Sequence, residues 1–273
     1  MNNLHRHLAP ISDAAWEQIE EEASRTLKRH LAARRVVDVV GPKGVDFSAV
    51  GTGHTRQIPG PAEGIQAAQR EAKPLVELRV PFELSRQAID DVERGATDSD
   101  WSPVKEAARK MAFAEDRSVF DGYAPAGIQG IREGSSNPHL VLPSNVKAYS
   151  SAMAQAVSEL KLAGCNGPYA LVLGADAYTA ASGGSDDGYP VFHHIERMID
   201  GGIIWAPAVA GAFLLTTRGG DFELDIGQDI SIGYSSHSAT SVELYFFQSF
   251  TFRLLTTEAS VVLDPEKSRD SRR

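Results

Sequence analysis

The hydrophobic positions of this chain change period several times, and each change marks a different kind of element. Trp16, Ile19, Ala23, Leu27 and Leu31 recur every three or four residues, which predicts an amphipathic helix over residues 12–35. Ser12 or Asp13 can cap it by accepting from free backbone amides. Acids (Glu17, Glu20, Glu21, Glu22) crowd its first half and bases (Arg25, Lys28, Arg29, Arg34, Arg35) its second, an order that complements the helix dipole. The apolar face suits packing on the helix's own domain, or docking of a partner. From Val36 the period shortens to that of strands. Residues 36–40 read as a strand, 41–44 as a turn, 45–58 as an alternating stretch and 75–80 as another, with a break at Pro59-Gly60-Pro61. Such β arms carry few large apolar residues and present open edges, so burial against neighbouring chains is expected.

Helical spacing returns at residues 85–94, ending at Gly95, and at 102–121, with Pro103 in the first turn and Gly122 after the last. Ala107, Ala108, Ala112 and Ala114 make the second of these a closely packed central spine. A further helix is expected over 145–163 and a buried strand over 169–173. Short helices at 175–181 and 191–200 flank a flexible acidic loop at 182–188. Strands dominate 203–263, and the charged tail from Asp264 to Arg273 is expected to be disordered. The texture is α+β.

Composition narrows the function classes. The 273 residues include 27 Lys+Arg against 36 Asp+Glu, a net charge of −9 that argues against a nucleic-acid partner. The single cysteine, Cys165, excludes an intrachain disulfide and a cysteine-based zinc site. The apolar stretch at 203–215 is too short for a membrane span and contains Pro207. An intracellular chain without a signal peptide is expected.

Catalytic signatures are missing: no nucleophile elbow, Walker loop, H-E-x-x-H or C-x-x-C occurs. Gly51-Thr52-Gly53 opens like a dinucleotide fingerprint, but Arg56 takes the third glycine position. His193, His194 and Glu196 are a weak metal candidate, since His194 points about 100° from His193 on a helix. Ser235 or Ser236 with His237 lacks an orienting acid. Asp186 and Asp187 read as a solvated loop in a lone subunit; repeated around a symmetry axis they form an acidic ring that attracts cations. No catalytic residue, metal or cofactor is expected.

Long motifs then point to a family. Leu8-Ala9-Pro10 precedes the Trp16 helix, and Arg35-Val36-Val37-Asp38-Val39 leads to Gly41-Pro42. Lys73-Pro74-Leu75-Val76-Glu77-Leu78-Arg79 and Asp90-Asp91-Val92-Glu93-Arg94-Gly95 follow. Arg218-Gly219-Gly220-Asp221-Phe222, then 227–234 and Phe250-Thr251-Phe252 close the pattern. Over residues 3–263 the chain resembles the encapsulin shell proteins, also called linocin-type bacteriocins, and looks most like a mycobacterial member.

The resemblance implies the HK97-like phage capsid fold. Its parts would be an N-terminal luminal helix (1–35), a P-domain (36–45, 82–135 and 225–263), an extended β-hairpin E-loop (46–81), an A-domain (136–224) and a flexible tail (264–273). It implies a homo-oligomer, a closed icosahedral shell of about 60 copies in the smallest case. The shell would enclose a cargo protein, a dye-decolorising peroxidase or ferritin-like protein, held by its C-terminal targeting peptide. That peptide would lie near Arg34, Val37, Asp38, Asp229, Ile230 and Ile232. Ser185, Asp186 and Asp187 would line the fivefold pore. Where some members stack flavin on a tryptophan, this chain has Gln87, so no flavin is expected. A cytoplasmic nanocompartment is implied, with non-classical release as an open route. The contrasting readings are a secreted bacteriocin or protease-like hydrolase, and a phage-derived coat that packages DNA.

Overall fold

The computed structural model describes residues 3–266. Helix α1 (Asp13–His30) leads to strand β1 (Asp38–Val40), the arm strands β2 (Ala49–Ile58) and β3 (Ala67–Pro74), and β4 (Val76–Ser85). Helices α2 (Arg86–Glu93), α3 (Ser102–Phe120) and α4 (Ile131–Gly134) come next. Then follow β5 (Leu140–Leu142), α5 (Tyr149–Leu162), β6 (Tyr169–Leu173), α6 (Ala175–Gly183), the short strands β7 (Ser185–Asp186) and β8 (Tyr189–Pro190), and α7 (Val191–Glu196). The described chain closes with β9 (Ile203–Trp205), β10 (Ala212–Thr216), β11 (Phe222–Ile226), β12 (Ser231–His237), β13 (Ser241–Leu254) and β14 (Ser260–Pro265).

Two five-stranded sheets organise these elements. In the first, β13 is long enough to serve three partners: β4 along one edge, and β12 then β11 in succession along the other. In the second, β5, β14, β10, β6 and β9 lie in that order. Every residue of β6 and of β10 is buried, as expected of strands covered on both faces. Helix α3 joins the two cores. Val104, Ala108 and Met111 pack with α1, α2 and the first sheet, whereas Val119 and Phe120 enter the core of the second.

Local chemistry explains where the structure departs from expectation. The helix expected over 12–35 breaks after His30. The amides of Ala32 and Ala33 donate to the buried carboxylate of Asp116 at 2.9–3.1 Å, and residues Ala33–Arg35 form a separate 3-10 turn. The amide of Ala15 donates to Ser12 Oγ at 3.3 Å, so Ser12 is the cap. The acidic segment at 182–188 is less loose than expected: β7 and β8 pair, with Asp187 at φ +46° and Gly188 at φ +83° between them. Two central residues with positive φ make the tight hairpin turn that an Asp-Gly pair favours. Strand β14 runs to Pro265, and Asp264 is engaged by Arg132 and, at 2.9 Å, by His139. The remainder of the expected tail, 267–273, lies outside the described residues.

The β2–β3 hairpin stands apart. Only Val50 of β2 is buried, and β3 has no buried residue. The accessible surface is 14,636 Å², against roughly 11,500 Å² for a compact monomer of this mass. The hairpin, exposed on both faces, accounts for part of that excess.

Candidate functional site

A groove of about 470 Å³ runs between α1 and the segment that feeds β12. Its apolar lining comes from Leu27, Leu31, Ile230, Ile232 and Phe246, and Arg6, Glu20, Lys28, Arg34 and Asp229 supply charge. The helical period puts Leu27 and Leu31 there: they continue the stripe of Ile19 and Ala23 past the point where α2 and α3 cover it. At the other wall, the carbonyl of Leu4 accepts from the Tyr234 amide at 2.8 Å, and Asn3 Nδ2 donates to Gln228 Oε1 at 2.8 Å. Arg6 lies 4.1 Å from the Trp16 ring and pairs with Glu20 at 2.5 Å.

Arg34 is the fixed point of the groove. Its Nε and Nη2 donate to the two oxygens of Glu115 at 2.8 and 2.7 Å, and Nη2 also reaches Asp229 Oδ1 at 2.8 Å. Glu115 is fully buried and also accepts from Gln248 Nε2. Burial alone would lower the Arg34 pKa; bonds to Glu115 and Asp229 outweigh it and hold the guanidinium above its ordinary value. Next to it, burial pushes Asp116 up to about 7, against the opposing amides of Ala33 and Ala32. The turn that carries Arg34 is therefore held by two adjacent acids of α3 with different tasks. Glu115 takes the guanidinium and Asp116 takes the backbone.

Of the residues expected at a peptide site, Arg34, Asp229, Ile230 and Ile232 come together here. Val37 and Asp38 do not. They line a separate pocket of about 190 Å³ with Thr216, Thr217 and Asp221, where Asp38 Oδ2 accepts from the Gly220 amide at 2.6 Å. After the turn at Arg35 the chain leaves the groove and pairs β1 in parallel with β11. Leu27 and Leu31, which the sequence marks only as part of an apolar face suited to the helix's own domain or to a partner, form the groove wall; their place at the C-terminal end of the apolar stripe was the available signal.

Ser185, Asp186 and Asp187 sit at the hairpin tip, with the Asp187 side chain 98% exposed. Lys147 Nζ stands 3.9 Å from Asp186 and 4.0 Å from Asp187, so each subunit offsets part of its own acidic charge. Behind the tip, Tyr189 packs edge-on to His194 at 4.5 Å, with Arg197 5.2 Å from its ring.

The candidate catalytic groups are otherwise engaged. Ser236 Oγ donates to Glu243 at 2.6 Å, and His237 Nδ1 meets the Tyr234 hydroxyl at 2.5 Å. His193 contacts Glu196 at 2.8 Å on the surface. Cys165 is buried, which pushes its thiol pKa up. Gln87 Nε2 donates to Asp91 at 3.0 Å. Among the described residues no group of three or more His, Cys, Asp or Glu side chains could hold a metal, and no helix is long and apolar enough to cross a membrane.

The spine helix, the two sheets and the projecting hairpin define an HK97-type capsid fold. The virus-like particle from Pyrococcus furiosus matches over 91% of this chain and 99% of its own, with a TM-score of 0.66 at 15% identity. The capsid of Myoviridae phage XM1 matches over 86% and 92%, with a TM-score of 0.54 at 11% identity. Residues 1–251 match the family described as encapsulating protein for peroxidase. Sequence relatives named type 1 encapsulin shell protein include one from Rhodococcus erythropolis, 61% identical over 96% of this chain and all of its own length. Another, from Mycobacterium tuberculosis, is 57% identical over 96% of this chain and 99% of its own. The chain belongs to the type 1 encapsulin shell protein family. It is a structural shell protein and not an enzyme.

Proposed function

We propose that the chain assembles in the cytoplasm into a hollow icosahedral compartment of about 60 subunits around a cargo protein. The cargo is a dye-decolorising peroxidase or a ferritin-like protein, and the compartment serves in oxidative stress or iron handling. An extended C-terminal peptide of the cargo lies in the groove between α1 and β12, its apolar side chains against Leu27, Leu31, Ile230 and Ile232. Arg34 and Asp229 fix its register. The observation that carries this reading is the groove itself: an apolar trough with charges held in place by buried partners. Modest affinity per site becomes firm retention when an oligomeric cargo engages several sites at once. The tips at Ser185, Asp186 and Asp187 form the pores, which admit small cations and neutral solutes and keep macromolecules out.

Co-expression of the shell with a fluorescent protein carrying the cargo's C-terminal peptide tests the docking. The reporter is expected to co-purify with particles of the wild type and to be lost from particles of Leu27→Asp and Ile230→Asp. Equal loading of both would refute the groove as the docking site.

A further inference from the structure

On the opposite side of α1 from the peptide groove, the molecule carries a second trough with a different character. It measures about 450 Å³ and lies between α1 and α3. Arg25 and Arg29 face it from one helix, and Lys105 and Arg109 from the other. Each pair is spaced four residues apart, so two cationic ladders run side by side with a rise of about 6 Å per step. At one end the buried carboxylate of Glu22 holds Arg25 and lies 3.9 Å from Lys105. At the other end Arg29 and Arg109 are exposed and have no carboxylate partner among the described residues. Glu106 is the second acid of the lining, so the four cations outnumber the acids in a chain whose net charge is −9.

We propose that this trough binds a short phosphate-chain anion of the polyphosphate class, seated at the Arg29–Arg109 end. Planar guanidiniums that have no internal partner bind phosphate oxygens in pairs. Two such groups on facing helices, backed by two more cations one turn away, suit an anion with several phosphates in a row better than a single one. No Phe, Tyr or Trp side chain lines the trough, so it lacks the stacking platform by which proteins hold single-stranded nucleic acid. His30 closes the floor, fixed by its Nδ1 to the Thr26 carbonyl at 2.8 Å and by its ring against Phe113 and Trp205. The proposal is independent of cargo docking, since it uses the other side of α1.

Titration of inorganic tripolyphosphate into the full-length protein by calorimetry tests it. Saturable binding is expected for the wild type. Arg29→Glu with Arg109→Glu is expected to weaken it by about tenfold or more, equivalent to about 1.4 kcal/mol, and Arg29→Lys with Arg109→Lys to retain most of it. The milder Arg29→Gln with Arg109→Gln serves if charge reversal alters the far-UV spectrum or the particle size. Absence of saturable binding, or equal affinity in wild type and charge-altered variants, would overturn the site. Tighter binding of a single-stranded oligonucleotide of equal charge would overturn the assigned class.

Discussion

The two ways this chain uses β-structure could hardly differ more. Around β13, side chains from both faces are covered: Phe246, Gln248 and Phe250 are sealed in on one face, and Ser249 and Thr251 are buried on the other. In the β2–β3 hairpin, backbone pairing is complete over most of its length, yet Ile58 and Ile65 remain 39% and 53% exposed. A two-stranded hairpin with no covered face is marginal in water. The central sheet is self-sufficient within one subunit, whereas the hairpin is left uncovered by its own subunit. On the proposed assembly, the hairpin is half of an interface that other subunits complete.

The largest effect is expected in the sheet. Phe250→Ala opens a fully buried site and should cost about 3–5 kcal/mol, lowering thermal unfolding of the subunit and of the particle alike. Arg34→Ala belongs to the same class. Removing the guanidinium strands the buried Glu115, at about 3–5 kcal/mol, and should lower the unfolding temperature and cargo loading together. An Arg34→Ala protein with unchanged thermal stability would show that the Arg34–Glu115 pair is not the clamp described here.

Asp116 gives the buried core a pH dependence of its own. In the fold its carboxyl gains a proton at about pH 7; in the unfolded chain it does so near pH 4. The folded state therefore binds more protons in that window. Stability from this group is full below about pH 4 and is lost as pH rises through about 7. Thermal unfolding measured between pH 5 and 8 should fall with rising pH, and Asp116→Asn should flatten that slope. A variant with the wild-type slope would place the titration elsewhere.

The hairpin should respond in the opposite sense. Ile58→Asp with Ile65→Asp is expected to leave subunit stability within about 0.5 kcal/mol while abolishing or shrinking the particle, as read by size exclusion. Intact particles from that variant would show that the hairpin is not part of a subunit interface. The smallest effect belongs to the tip. Asp186→Lys with Asp187→Lys should leave assembly unchanged and slow metal uptake into the shell; Lys147→Ala, which removes the offsetting ammonium, should speed it. Unchanged uptake kinetics in both would contradict a gating role.

Much of this division was legible in the sequence, because it is written in local terms. The three- and four-residue spacing that begins at Trp16 marks α1, and the Pro103 start with its alanines marks α3. The arm showed itself by alternation without bulk. What stayed hidden depends on residues distant in the chain. Nothing near Arg34 announces Glu115 or Asp229, which lie 81 and 195 positions away and meet it only when α3 and the segment before β12 come together at the turn. Val37 and Asp38 were grouped with Arg34 on the family resemblance; in the fold the 3-10 turn at Ala33–Arg35 carries the chain out of the groove, and Asp38 pairs with β11. The Asp-Gly turn at residues 187–188 was local and readable, but the glycines and aspartates around it resemble a mobile loop until the β7–β8 pairing is seen.

On the proposed assembly, the exposed hairpin is half of an interface closed by other copies of the chain. Particle mass by mass photometry, with negative-stain images of the same sample, tests it most directly. Hollow icosahedral particles are predicted, roughly 1.8 MDa for about 60 copies of a 29.4 kDa chain. A monodisperse species of one or a few subunits would contradict it.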